Sequence, residues 1–162
     1  MIIFATGFDA LTGSLMKMEI IGRDGIRLSD EWKNGPKTYL GLQVSGFPNF
    51  FIVTGPGSPS VLTNMPQSID QNVTWITDCI SHLIENEFTK IEAEEHAMNA
   101  WMKHVQEEVE GTLFLIAKHS WYLGSNIEGK PQVFMPYVGG LDKYREICKE
   151  VAKDDYRGFQ LS

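Results

Sequence analysis

The chain has 162 residues, 43% of them hydrophobic and 22% charged, with a formal net charge of −7. That length supports one domain with a buried core, and the composition is globular rather than disordered. The negative balance, with Lys and Arg scattered, argues against nonspecific binding to nucleic acid or to an anionic membrane, both of which want a basic face.

Met1-Ile2-Ile3-Phe4 opens the chain as a continuous apolar run, the pattern of a strand buried on both faces of a parallel sheet. A parallel neighbour would need a crossover helix first, so the expectation is a piece of a longer protein. Ala5-Thr6-Gly7 then turns the chain away. Residues 18–21 and 26–28 alternate around Gly22-Arg23-Asp24-Gly25, a hairpin signal because Asp-Gly tolerates positive φ. Trp32 to Lys37 reads as a polar loop, Tyr39 to Leu42 as a short apolar piece, and Gly46-Phe47-Pro48-Asn49 as a turn. Phe50-Phe51-Ile52-Val53 then predicts a buried strand ending at Thr54.

Helical spacing follows. Ile69, Val73, Ile76, Ile80, Leu83 and Ile84 predict a helix over 66–88, with the Asn64 side-chain oxygen as its cap and Pro66 in its first turn. Ala97, Trp101, His104, Val105, Val109, Leu113 and Ile116 predict a second over 93–118, broken or divided at Gly111. Residues 121–134 read as loop plus a short strand. Tyr144, Ile147, Cys148 and Val151 form the stripe of a last short helix. Cys79 and Cys148 both fall inside helices and read as reduced core residues of a cytoplasmic protein, not as a disulfide. The N-terminus lacks a basic region and a cleavage site, and no apolar run reaches the length of a membrane span.

Some constellations suggest chemistry and are better read as structure. Cys79 and His82 lie three apart on a helix, yet without a second pair at ligand spacing they do not make a metal site. His96 and His104 read as a surface and a half-buried histidine. The acids of Glu92-Ala93-Glu94-Glu95 suit the first turn of a helix, where the macrodipole favours them. Ser58 and Ser60 lack a Gly-x-Ser-x-Gly elbow. Gly55-x-Gly57 is neither a dinucleotide fingerprint nor a P-loop.

The segment from Gly55 to Gln67 stands apart. A strand, a Gly/Pro-rich loop and a helix start make a ligand-facing corner, since glycines admit close backbone approach and the helix start offers unpaired N–H groups. Trp121, between Ser120 and a Gly-containing loop, reads either as core or as a lid stacking on a flat ligand.

Taken together, residues 2–9 (Ile-Ile-Phe-Ala-Thr-Gly-Phe-Asp), Gly55-Pro56-Gly57-Ser58-Pro59-Ser60 with Thr63-Asn64-Met65, and Ser120-Trp121 through Gly129-Lys130 resemble the C-terminal part of flavin-dependent Baeyer–Villiger monooxygenases. Tyr137-Val138-Gly139-Gly140 and Tyr156-Arg157-Gly158-Phe159 extend the resemblance to essentially the whole chain, 1–162, as a single C-terminal portion without a complete Rossmann domain. The resemblance implies an α/β fold, the terminal part of a flavoprotein with two dinucleotide-binding domains: the end of a nucleotide-binding sheet, a hairpin insertion and packed helices. It implies FAD and NADP as cofactors, and a ketone and molecular oxygen as substrates, the product being an ester or lactone. Gly7 would lie where the nucleotide-binding domains join, and Asn64 and Met65 against the flavin ring. Ser60, Val61 and Leu62 would line the ketone pocket, and Trp121 would sit on a mobile loop closing over NADP.

Other features of the family have no counterpart in this sequence. Neither Gly-x-Gly-x-x-Gly fingerprint occurs, nor does the upstream arginine of the active site. Glu128 stands where a proline is common. The chain alone is therefore expected to be inactive and to hold neither cofactor well. An incomplete sheet exposes apolar surface, so self-association is expected, and a noncatalytic interaction domain or a gene remnant is the alternative. The Gly-Pro-Gly-Ser-Pro-Ser and Ser-Trp-Tyr-Leu-Gly segments speak against a related N-hydroxylating or sulfur-oxidising flavoprotein.

Overall fold

In the computed structural model, residues 1–3, 8–116 and 120–162 are described. The elements run α1 (Gly13–Met16), α2 (Leu28–Glu31), α3 (Met65–Glu85), β1 (Ile91–Ala93), α4 (Glu95–Val109), α5 (Leu141–Lys153) and β2 (Phe159–Leu161), with 3-10 turns at Arg23–Gly25, Trp32–Asn34, Ser60–Leu62 and Leu113–Ile116. Helix and strand share one unit, as the α/β reading requires, though among the described residues the regular sheet is β1 paired antiparallel with β2, Glu92 opposite Gln160. One core runs from Leu28 to Phe159, with Leu40, Leu42, Val44, Ile91, Tyr137 and Tyr144 at its centre.

Helix α3 lies close to its expected bounds, and α4 and α5 form where helices are expected. Pro66 sits in the first turn of α3, where its missing N–H costs nothing. The helix begun at Glu95 ends at Val109, and Gly111 follows with φ +76 before the short 3-10 turn, so the glycine divides the expected helix. Helix α5 buries Tyr144, Cys148 and Val151, the stripe read from its spacing.

Helix α3 departs from its reading in part of the face it buries: of the expected stripe, Leu83 is buried and Ile76 packs against the core, but the rest is not. Ser68, Asn72, Trp75, Cys79 and Leu83 point inward, while Ile69, Val73, Ile80 and Ile84 are exposed, Ile84 at 71%. Hydrogen bonding explains the choice. Trp75 Nε1 donates to Cys148 O at 2.9 Å, and Asn72 Nδ2 donates to Tyr144 Oη at 3.1 Å. Tyr144 Oη in turn donates to Leu40 O at 2.6 Å. These polar groups anchor α3 on α5 and leave Ile69, Val73, Ile80 and Ile84 outside. The Cys79 thiol is fully buried, which pushes its pKa up to about 12, far from a nucleophile's range.

Other departures concern strands and acids. Met1, Ile2 and Ile3 lie in no regular element and are exposed. Residues 50–54 form no full strand: Asn49 and Thr54 both hold positive φ (59° and 55°), so the extended run ends at each side after one bridge, Gln43 to Phe51. The short strand expected within 121–134 is a series of turns. The 18–28 hairpin survives as a single bridge, Ile21 to Arg27, with Asp24 and Gly25 at positive φ as Asp-Gly allows. Glu92 belongs to β1 rather than to a helix. Its buried carboxylate accepts from Arg23 Nη2 and from the Gly46 N–H, both at 2.9 Å.

Candidate functional site

Residues 54–62 are tied to their neighbours through the backbone, and 55–60 are buried. The Thr54 N–H donates to Asn72 Oδ1 at 2.8 Å, and the Gly55 N–H to Gly41 O at 3.2 Å. The Gly57 N–H reaches Met135 O at 2.6 Å, and the Tyr137 N–H reaches Ser58 O at 2.8 Å. Gly57 has φ +86, and a Cβ there would stand 2.9 Å from Trp101 Nε1, which donates to the Gly57 carbonyl. Only glycine fits that approach.

Ahead of this support lies the 3-10 turn Ser60–Leu62. Ser60 holds φ +44, an uncommon conformation for a residue with a side chain, and it is fully buried. Its hydroxyl finds no protein partner among the described residues. Strain combined with an unpaired buried hydroxyl is a known mark of a binding site.

Helix α3 starts three residues after this turn. Asn64 is its N-cap by backbone, but the side chain makes no capping bond, contrary to the expectation from sequence. The free side chain leaves the first turn open: neither the Met65 nor the Gln67 N–H has a partner among the described residues, and Pro66 has none to offer. Two backbone donors without a protein partner among the described residues thus follow Ser60 closely in the chain.

Trp121 comes from the far side. Its indole stacks on Tyr122 at 4.1 Å with an interplanar angle of 28°, and Tyr122 rests against Phe114 and Phe134. Val133 and Met135 N–H groups bind Leu123 O and Tyr122 O, fixing the turn to the 133–137 segment.

These pieces enclose a cleft of about 480 Å³. Ser60, Val61, Met65 and Trp121 line it together, whereas Leu62 and Asn64 do not. Gly7, with Ala5-Thr6, lies outside the described residues. Phe50, Phe51, Val53 and Thr54 also line the cleft, although their apolar run reads as a buried strand. Ala10, Leu11, Ser14 and Leu15, in and before α1, complete the wall, and no sequence signal marks them. The described lining contains no ionisable side chain. Its described residues offer apolar faces and hydroxyls, which suits a flat ligand with a polar edge.

No protein-family model matches the chain. Similarity to individual proteins spans almost its whole length. Cyclohexanone 1,2-monooxygenase from Acinetobacter sp is 41% identical over 161 residues, which is 99% of this chain and 29% of that enzyme. The phenazine N-monooxygenase PhzNO1 of Lysobacter antibioticus is 42% identical over 161 residues, again 99% of this chain and 29% of its own length. The cyclohexanone monooxygenase of Rhodococcus sp. Phi1 bound to NADP+ superposes with a TM-score of 0.94 at 40% identity, covering 98% of this chain and 29% of that one. The chain therefore spans under a third of the relatives it matches.

Proposed function

We propose that this chain, similar throughout its length to part of the Baeyer–Villiger monooxygenases, acts as the C-terminal portion of an FAD- and NADPH-dependent enzyme that inserts oxygen beside a ketone carbonyl. Residues 1–162 form a single such portion, without a complete dinucleotide-binding fold. The observation that carries the reading is the cleft: Ser60, Val61, Met65 and Trp121, distant in sequence, line one cavity that has no ionisable side chain among the described residues and lies beside an uncapped helix start.

The residues present fit the edge of a flavin and one wall of a ketone pocket. FAD, reduced by NADPH, would supply the activation of molecular oxygen. The unpartnered N–H groups of Met65 and Gln67 would bind the polar edge of the ring, and the Ser60 hydroxyl would gain its missing partner there or on the ketone. Val61 and the phenylalanines of the 50–54 segment would hold the apolar body of the ketone. Leu62, the last residue of the Ser60–Leu62 turn, would set the shape of that turn. Trp121 would pack over NADP and keep water out. Asn64, its side chain free of the cap, would lie near the ring, and Gly7 would join the nucleotide-binding domains.

The pyrophosphates of both cofactors need glycine turns that this sequence lacks, so the isolated chain would be inactive. The exposed isoleucines of α3 would pack on further protein, or on another copy when the chain is alone. That surface also favours the second reading, a noncatalytic interaction domain.

The test is a hybrid in which this chain replaces the matching part of the Acinetobacter cyclohexanone monooxygenase. NADPH oxidation and product are measured with cyclohexanone and with phenazine, because relatives named for either are equally similar. Ester or lactone formation supports the reading; N-oxide alone redirects it to nitrogen. A hybrid that binds FAD and oxidises neither overturns it in favour of the interaction domain. In an active hybrid, Ser60→Ala is expected to lower kcat/KM about tenfold with FAD still bound, the value of one lost hydrogen bond.

A further inference from the structure

Two segments far apart in sequence, residues 8–16 and 120–131, both contribute to the cleft wall, the first through Ala10, Leu11, Ser14 and Leu15 and the second through Trp121. Lys130 joins them. Its ammonium donates to the Asp9 carboxylate and, at 2.7 Å, to Thr12 Oγ1. Asn126 Nδ2 adds a bond to Phe8 O at 3.1 Å. The Lys130 and Asp9 side chains are 14% and 32% exposed, so the pair is largely withdrawn from water.

Both ends of this pair rest against glycine. A Cβ on Gly124, which holds φ +71, would stand 3.2 Å from Lys130 Cδ. A Cβ on Gly13 would come 2.6 Å from Asp9 Cβ. The glycines clear the space through which the two segments approach. Neither Asp9 nor Lys130 lines the 480 Å³ cleft; both face a smaller cavity of about 360 Å³ beside it. Yet the turn ending at Lys130 carries Trp121, and the segment opened by Asp9 carries Ala10, Leu11, Ser14 and Leu15, all in the cleft wall.

We propose that Lys130 and Asp9 are positioning residues, a latch that holds the Trp121 turn against α1 and so sets the closed width of the cleft. The functional meaning rests on reading that cleft as the cofactor and substrate site. The latch itself is a property of this chain. Without either partner, the turn is held to residues 8–12 by weaker bonds only, and it opens more often.

Amide hydrogen exchange read by mass spectrometry on the purified chain tests this, with Lys130→Met, Asp9→Asn and the double variant. Exchange over residues 120–131 is expected to rise about tenfold in each single variant, while α3, α4 and α5 keep their protection. The double variant is expected to exchange no faster than either single one, because the two groups act through each other. Lys130→Arg, which keeps the charge and the donors, retains wild-type protection. In parallel, acrylamide quenching is compared with and without Trp121→Phe, and the Trp121 share of emission becomes more accessible in the single variants. Unchanged exchange in the turn overturns the latch. So does a rise spread over the whole core, additive effects in the double variant, or a Lys130→Arg chain that exchanges like Lys130→Met. None of these readouts depends on turnover, so failure of the hybrid enzyme would count against the proposed function and not against the latch.

Discussion

Glu92 shows how a single side chain joins distant segments. It accepts from Arg23 and from the Gly46 N–H, tying the 18–28 turn and the 46–49 turn to β1. Burial works to raise its pKa, but the Arg23 hydrogen bond, the Gly46 N–H and the nearby positive charges outweigh it, and the carboxyl titrates below its ordinary range. A depressed carboxylate contributes stability that is present above its unfolded pKa and lost as pH falls through the folded one. Urea midpoints of the wild type are therefore expected to fall from about pH 5 downward, since an unfolded Glu titrates near 4.3. Glu92→Ala should flatten part of that slope. At neutral pH the substitution is expected to cost about 1–3 kcal/mol, because the buried Gly46 N–H loses its acceptor. An unchanged midpoint in Glu92→Ala would show that water replaces the carboxylate without penalty.

Among the elements, α3 has two apolar faces with different fates. Leu83 is buried and its neighbour Ile84 is exposed, so adjacent residues should respond in opposite ways. Leu83→Ala is expected to cost about 2–5 kcal/mol by opening a cavity in the core. Ile84→Lys should stay within about 0.5 kcal/mol, as surface changes do. The same lysine, set on a stripe with Ile80, Val73 and Ile69, should suppress concentration-dependent association of the isolated chain in sedimentation experiments. Persistent association in Ile84→Lys would place the sticky surface elsewhere.

The whole molecule is closed by its last residues. Phe159 rests on Tyr39 at 4.8 Å and near Trp75 at 5.6 Å, while the Thr89 and Lys90 N–H groups both bind Ser162 O at 2.8 Å. Strand β2 thereby covers β1 and seals a core that begins at Leu28. Deleting residues 158–162 is expected to cost at least about 3 kcal/mol, the usual loss for removing a buried phenylalanine, and to lower the urea midpoint in fluorescence and circular dichroism together. Divergence of the two probes would mean that β2 belongs to a separate unit.

Local rules written into the sequence set the helices, the turns and the Gly/Pro-rich corner before α3. The stripe of Tyr144, Cys148 and Val151 specifies α5 because a helix must bury one face. Pro66 marks the start of α3, and Gly111 the end of α4. The Gly-Pro-Gly-Ser-Pro-Ser loop announces a close backbone approach, which Gly57 realises against Trp101. What local pattern does not contain is the partner. The isoleucines of α3 satisfy a 3.6 period as well as Trp75 and Cys79 do, and only the hydrogen bonds to Tyr144 and Cys148, about seventy residues away, select the inward face. Likewise 50–53 reads as a buried strand until positive φ at Asn49 and Thr54 turns it into a cleft wall. The meeting of Ser60 with Trp121, and of Asp9 with Lys130, is a consequence of chain closure in three dimensions, which no spacing along the sequence encodes.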